Sequence, residues 1–513
     1  MSGKYREVFP PAWPRSRPAV AFRIAYLLVF VSPPFSGAIK GVAVGYDYDV
    51  LVIGLGPAGM AVSVMASEMG MKVCGIEAEH VGGECMNVGC IPSKALLRMG
   101  KAREAFSRLE RMELAPTPKP AVLKPFERIA GHLSYIAEKK TMGMFAKVDM
   151  VYRQGRAAFV DPHTVAVGDK HVSAKRIFIC TGTSPAVPDI EGLAELSPLT
   201  NENIFHLDKV PSSLMVLGSG AIACEMAQAF SRLGSRVTMV FRGPGLLWRE
   251  DREASELLEK QFEEEGIVLE KNAAMRRFAK TTGGVELELE DGKRITSERV
   301  LAALGRRFDP VPLALDKAGI AYGKKGITID RYLRTTQKHV YACGDVNGLY
   351  QFSHAAMHQG MLALMNCMMP WPFKRKFDAY PVPWTIFTEP QISRVGLSAL
   401  ELDRKKRRHQ MMTARYDDYG AAIAEAVDVG FVRAAVSPTG RILGVTIVGE
   451  GSGEMINEWT MAIQNRFRIT RLLMQQHSFP TMGFLSKRVA EGWMMSKVKP
   501  GFVKAVCRAM FRF

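Results

Sequence analysis

The sequence predicts an α/β protein built from two copies of a strand, tight glycine turn and helix, followed by a mixed α+β domain. Three observations predict it. The apolar run Tyr48-Asp49-Val50-Leu51-Val52-Ile53 enters Gly54-Leu55-Gly56-Pro57-Ala58-Gly59 and a helical stretch from Met60 to Met69. A second copy comprises Leu214-Met215-Val216-Leu217, Gly218-Ser219-Gly220-Ala221-Ile222-Ala223 and a helix through Leu233, closed by the strand Val237 to Phe241. Beyond about residue 377, strand-like segments (Gly430 to Val436, Ile442 to Gly449) give way to helices (Glu454 to Asn465, Ile469 to Met474). At 513 residues the chain exceeds what a single core supports, so several domains are expected.

Composition narrows the class. With 47% hydrophobic and 23% charged residues, the chain is neither disordered nor a polytopic membrane protein. The net charge of +17 is gathered in Lys4, Arg6, Arg15, Arg17 and Arg23, in Arg404-Lys405-Lys406-Arg407-Arg408, and in Lys497, Lys499, Lys504, Arg508 and Arg512. These runs read as solvated surface, with no nucleic-acid partner expected. Five of the eight cysteines (Cys74, Cys180, Cys224, Cys343, Cys367) stand singly in apolar runs, unlike a secreted disulfide framework, which points to the cytoplasm. Residues 1–47 read as an extension; the run Ile24 to Val31, after Arg15, Arg17 and Arg23, is too short to span a bilayer.

In chain order, Gly54, Gly56 and Gly59 let a pyrophosphate approach the backbone at a helix N-terminus. Glu77, after the strand Lys72 to Ile76, can accept the hydroxyls of an adenosine ribose, so the unit is a Rossmann-like dinucleotide site. Next comes Gly82-Gly83-Glu84-Cys85-Met86-Asn87-Val88-Gly89-Cys90-Ile91-Pro92-Ser93-Lys94. A zinc site is the alternative reading of two close cysteines. No second Cys or His pair lies at ligand spacing, so no metal is expected.

That segment resembles the active-site signature of the class I pyridine nucleotide-disulfide oxidoreductases, which include dihydrolipoyl dehydrogenase, glutathione reductase and mercuric reductase; the resemblance extends over roughly residues 48–490. It implies an FAD domain in two parts (48–200 and 331–376), an NAD(P) domain (201–330) and a C-terminal α+β dimerisation domain (377–490) in a homodimer, leaving a basic aromatic tail (491–513). It further implies a redox-active Cys85–Cys90 disulfide, with Cys90 against the flavin and Cys85 the outward thiol that exchanges with substrate. Thiols this close can cycle between disulfide and dithiol. Lys94 would pair with Glu225 near the reactive edge of the flavin. Gly82, the turn Thr181-Gly182 after the strand Arg176 to Cys180, and Gly344-Asp345 match further FAD-binding positions, with Asp345 holding the ribityl chain.

Gly218 and Gly220 shape the nicotinamide-nucleotide turn. At the end of the following strand, where NAD enzymes place an acid, stand Phe241 and Arg242. A guanidinium there pairs with a 2′-phosphate, so NADPH is expected ahead of NADH, with Arg249 and Arg252 able to assist.

The pattern breaks near the C-terminus. Glutathione reductase and dihydrolipoyl dehydrogenase carry a His-Pro-Thr segment with a glutamate after it as an acid–base dyad. This chain reads His477-Ser478-Phe479-Pro480-Thr481-Met482-Gly483-Phe484, with phenylalanine at both dyad positions. His477, two residues away, is the candidate replacement base; a histidine packed at the domain interface is the alternative. The expected acceptor is a small disulfide or a protein-bound lipoyl-type group, with a mercuric reductase-like metal or quinone as rival. Cys507 alone is a poor metal relay. A different class of reading is a membrane-peripheral electron carrier docked through the tail, where Trp493, Phe502, Phe511 and Phe513 interleave with Lys and Arg.

Overall fold

The computed structural model describes residues 45–498 and 500–511. The apolar run and basic cluster read from the N-terminal extension therefore lie outside the described residues, as do Lys499, Arg512 and Phe513. Five helices frame the glycine turns, the cysteine pair and their neighbours: α1 (Pro57–Glu68), α2 (Cys90–Glu104), α3 (Ala221–Arg232), α4 (Ser353–Met368) and α5 (Ser452–Gln464).

Tyr48–Ile53 is an inner strand of a seven-stranded sheet. Its apolar run lacks alternation because both faces are covered, and Val50 through Ile53 are all buried. Parallel strands Val73–Glu77 and Lys170–Ile179 flank it, with Asp149–Tyr152 and Val340–Ala342 outside them. Val340–Ala342 returns to this sheet after the whole second nucleotide unit has been built, so this layer is made from two stretches of chain. The first half of Lys170–Ile179 also pairs antiparallel with Thr164–Val167, and that strand with Ala158–Phe159. Helix α1 starts three residues before the expected Met60, because Pro57 fits the first helical position, where its missing N–H is no loss. Helices α1 and α4 pack so closely that a Cβ on Gly360 would lie 2.5 Å from the Ala58 carbonyl oxygen.

The second unit is a parallel sheet in the order Val268–Glu270, Arg236–Val240, Ser213–Leu217, Arg299–Ala302. A three-stranded antiparallel sheet (Met275–Thr281, Gly284–Leu289, Arg294–Ser297) follows it in sequence before the last parallel strand. The C-terminal unit is a five-stranded antiparallel sheet in the order Trp384–Ile386, Ile392–Gly396, Ile442–Val448, Phe431–Val436, Gln410–Arg415. Trp459 of α5 and Leu485, Val489 and Trp493 of the helix Phe484–Lys497 close its core.

This corrects the reading of the tail. Trp493 is only 7% exposed. A Cβ on Gly440 would stand 3.1 Å from its ring, so it belongs to the packed core and not to an interfacial stripe. A separate helix, Pro500–Phe511, follows, with Lys504, Arg508 and Met510 exposed. Among the described residues no helix is long and apolar enough to cross a membrane. The run Arg404 to Arg408 is exposed throughout.

Candidate active site

The first glycine turn is closed by contacts that only glycine permits. Gly54 has φ +89°, and a Cβ there would meet the Cys180 carbonyl oxygen at 2.6 Å. A Cβ on Gly59 would fall 1.9 Å from the Gly54 oxygen. Gly56, by contrast, has no atom nearer than Gly83 Cα at 3.7 Å, which leaves its face open to a ligand. Glu77 Oε2 accepts from the Leu55 amide at 2.8 Å, holding the carboxylate at the turn. Gly82, at φ +91°, donates its N–H to Leu55 O at 2.8 Å.

Asp345 follows Gly344 (φ +87°) and accepts from Thr183 Oγ1 at 3.3 Å, just beyond the Thr181-Gly182 turn. Burial raises its carboxyl above the ordinary value, and Arg306 works against that shift. Arg306 was missed in the sequence. Its guanidinium reaches Glu84 Oε2 (2.5 Å), Thr183 Oγ1 (2.7 Å) and Thr183 O (2.6 Å), and lies 3.5 Å from Asp345. The available signal was Gly305-Arg306, separated by two residues from the end of the last strand of the second sheet, Arg299–Ala302. Burial also raises the Glu84 carboxyl, again opposed by Arg306. Behind this cluster Gln359 Oε1 accepts from the Gly344 amide at 2.7 Å and from Asn347 at 2.6 Å. The Gln359 Nε2 is buried with no hydrogen-bond partner among the described residues. The open face of Gly56 and the Glu77 carboxylate held at the turn fit FAD, which the Gly54–Gly59 turn, Glu77 and Asp345 would hold.

The cysteines sit at a helical break. Cys85 lies on the short helix Gly83–Asn87 and Cys90 opens α2; a Cβ on the intervening Gly89 would be 2.8 Å from Glu84 O, so the backbone doubles back tightly. Both are thiols here and hydrogen-bond to each other. That bond, reinforced by Ser353 and the Lys94 charge and opposed by burial, lowers Cys90 to about 6. The same shared hydrogen bond, with burial, pushes Cys85 well above the ordinary thiol value. The N-terminus of α2 also favours the Cys90 anion.

Lys94, one turn along α2, meets Glu225 of α3 at 2.7 Å. Glu225 is almost fully buried; its second oxygen accepts from the Phe387 amide at 2.9 Å, and the Lys94 ammonium lies 4.5 Å from the Phe387 ring centre. The structure therefore brings Cys85, Cys90, Lys94 and Glu225 together, and adds Ser353 and Phe387.

His477 is placed differently. Its side chain is 6% exposed, with Nε2 2.9 Å from Glu458 Oε1 of α5 and Nδ1 3.3 Å from Gln475 O. Both ring nitrogens are engaged within the chain. This is the packed arrangement that was the alternative to a free base, and no hydrogen bond or ion pair ties His477 to either cysteine. Phe479, 71% exposed, packs edge-on against Phe484 at 5.4 Å, so neither dyad position can move a proton.

In the second glycine turn, Gly218 has φ +119°, and a Cβ there would meet Ala303 O at 2.5 Å, while Gly220 faces open space. Arg242 is exposed directly after the buried Phe241 and forms no ion pair among the described residues. Arg249 instead covers the Trp248 ring and Arg252 pairs with Glu256.

Comparison with known proteins agrees with this geometry. Residues 48–360 match the family pyridine nucleotide-disulphide oxidoreductase, and residues 382–490 match that family's dimerisation domain. Mercuric reductase of Staphylococcus aureus is 32% identical over 424 residues, covering 82% of this chain and 77% of that protein. Dihydrolipoyl dehydrogenase of Chlamydia pneumoniae is 28% identical over 465 residues, 88% of this chain and 98% of that protein. Among solved structures, the HOCl-induced flavoprotein disulfide reductase RclA from Escherichia coli superposes with a TM-score of 0.78 at 26% identity, covering 88% of this chain and all of that one. The chain belongs to the class I pyridine nucleotide-disulphide oxidoreductases, enzymes that work with FAD and NAD(P)H.

Proposed function

We propose that this chain, as a homodimer, is an NADPH-dependent reductase whose Cys85–Cys90 pair delivers two electrons to a disulfide with acidic leaving thiols. One observation carries the reading: the Cys90 thiol is lowered beside Ser353 and Lys94, while among the described residues no histidine or carboxylate hydrogen-bonds either cysteine. FAD, when bound, supplies the two-electron link between the nicotinamide and the cysteines. Two electrons and one proton open the Cys85–Cys90 bond to a thiol on Cys85 and a thiolate on Cys90. As Cys85 attacks the acceptor, its proton passes to solvent water, one acceptor thiolate leaves, and a mixed disulfide remains. Cys90 then attacks Cys85 and expels the second thiolate. Among the described residues no histidine or carboxylate is bonded to either cysteine to protonate a departing thiolate, so an acidic thiol leaves faster than a basic one. The five cysteines that stand singly in apolar runs, and the nucleotide substrates, support action in the cytoplasm.

A second reading, a thiophilic metal ion as acceptor, is favoured by the similarity to mercuric reductases, 32% identical in Staphylococcus aureus and 34% in Bacillus cereus. Steady-state NADPH oxidation by the holoenzyme, with an aromatic disulfide, oxidised glutathione, lipoamide and Hg(II), decides between them. The aromatic disulfide is expected to exceed oxidised glutathione at least tenfold. Equal rates on the two would sink the acidic-thiol reading, and turnover with Hg(II) alone would select the metal.

Arg242 supports NADPH over NADH. Losing a charge-assisted phosphate contact removes about 2 kcal/mol, so Arg242→Glu should lower kcat/KM for NADPH about 30-fold and leave NADH nearly unchanged. Equal losses with both coenzymes would exclude a role at the 2′-phosphate.

A further inference from the structure

Ser353, far from the cysteines in sequence, meets them in space. Its Oγ lies 3.2 Å from Cys90 Sγ. Ser353 is the first residue of α4, and its hydroxyl lies against the Cys90 sulfur. The end of α4 that carries it is held on both sides. Phe352 stacks on the Trp384 ring, with centres 6.0 Å apart and planes 8° apart, and His354 Nε2 is 2.6 Å from Pro383 O. Cys90 in turn opens α2, so the amino ends of two long helices, of 16 and 15 residues, converge on one sulfur. Both ends favour negative charge there.

We propose that Ser353 is a positioning residue: its hydroxyl donates to the Cys90 thiolate and so favours the reduced, dithiol form of the pair over the disulfide. This rests on the reading of Cys85 and Cys90 as the redox pair. A donor available to the thiolate but weaker toward a disulfide sulfur stabilises only the reduced state, and therefore raises the reduction potential of the pair. It does so without a proton-transferring side chain, which suits a site whose dyad positions are phenylalanine.

The test is the equilibrium of the holoenzyme with glutathione, in which the Cys85–Cys90 disulfide and two glutathione thiols exchange for the dithiol and one glutathione disulfide. The fraction of disulfide is read by acid quench, alkylation and mass spectrometry. Ser353→Ala is expected to move the midpoint about tenfold toward the disulfide, a fall of about 30 mV. Ser353→Thr, which keeps the hydroxyl, is expected to restore it to within twofold of the parent. A midpoint unchanged in Ser353→Ala, or not restored in Ser353→Thr, would overturn the role of Ser353 while leaving the redox pair intact. A parent enzyme whose two cysteines never interconvert between disulfide and dithiol would overturn both.

Discussion

Cys85→Ala is expected to cut turnover with every acceptor by about a thousandfold or more, because the group that forms the covalent bond to the acceptor is gone. NADPH should still be consumed in a single turnover, since the residues that hold the nucleotide lie elsewhere. The same change should be visible at Cys90. Its low value of about 6 is caused first by the hydrogen bond from Cys85, so the alanine variant should show Cys90 alkylating with a pH midpoint raised by at least one unit. A depressed thiol value means thiolate above about pH 6 and thiol below it, so turnover of the parent should fall as the pH drops through about 6. Stopped-flow NADPH oxidation and a pH series of iodoacetamide labelling check both halves. Turnover within tenfold of the parent would show that Cys85 is not the exchanging thiol.

Where the sequence was read correctly, the interactions are local or carried by fixed spacing. The first strand, its turn and Glu77 fall within one short unit, where continuous apolar burial and obligatory glycines leave a readable pattern. Lys94 and Glu225 were found because each sits in its own motif, even though their contact at 2.7 Å joins residues 131 apart in sequence. Arg306 and Ser353 were missed for the opposite reason. Each is a single ordinary residue whose meaning comes from a partner in another part of the chain: Glu84 and Thr183 for one, Cys90 for the other. The antiparallel strands from Met275 to Ser297 were overlooked although Gly284–Leu289 alternates half-buried and buried positions. Charged residues on its exposed face mask that period in a composition-led reading. Trp493 was misread because a helix that buries one face and ends in lysine looks, in sequence alone, like an amphipathic surface helix.

Arg232→Met is expected to destabilise the fold by about 3–5 kcal/mol, the cost of leaving buried carboxylates without their cation. Arg232 closes α3 with its side chain 3% exposed, bonded to Glu265 at 2.6 Å and, by a very short contact, to Glu389. Lys101 of α2 bridges Glu389 at 2.9 Å and Glu450 at 2.8 Å, and Arg103 donates to Arg232 O at 2.6 Å. Gln228 ties Glu265 to the Glu389 backbone. The network thus joins α2, α3 and the C-terminal unit.

These are the two helices whose opposite ends carry Cys90, Lys94 and Glu225, and they touch closely: a Cβ on Gly100 would lie 3.3 Å from Arg232 Cβ. Losing the cation should therefore loosen the Lys94–Glu225 contact and lower NADPH turnover as well as the melting temperature. Burial opposes the Glu389 charge, yet Arg232 and then Lys101 hold its value below the ordinary carboxylate value. A depressed carboxylate stabilises the fold above its unfolded value, about 4.3, and that contribution disappears as the pH falls through the lower folded one. The gap between parent and variant should accordingly be full at neutral pH and narrow below about pH 4. Arg232→Met combined with Glu265→Gln should recover part of the loss, since a buried amide carries no charge to strand. Urea unfolding of the three holoenzymes at pH 7.5 and at about pH 3.5 measures this. A single variant within about 1 kcal/mol of the parent at pH 7.5 would show that the buried ions do not hold the helices together.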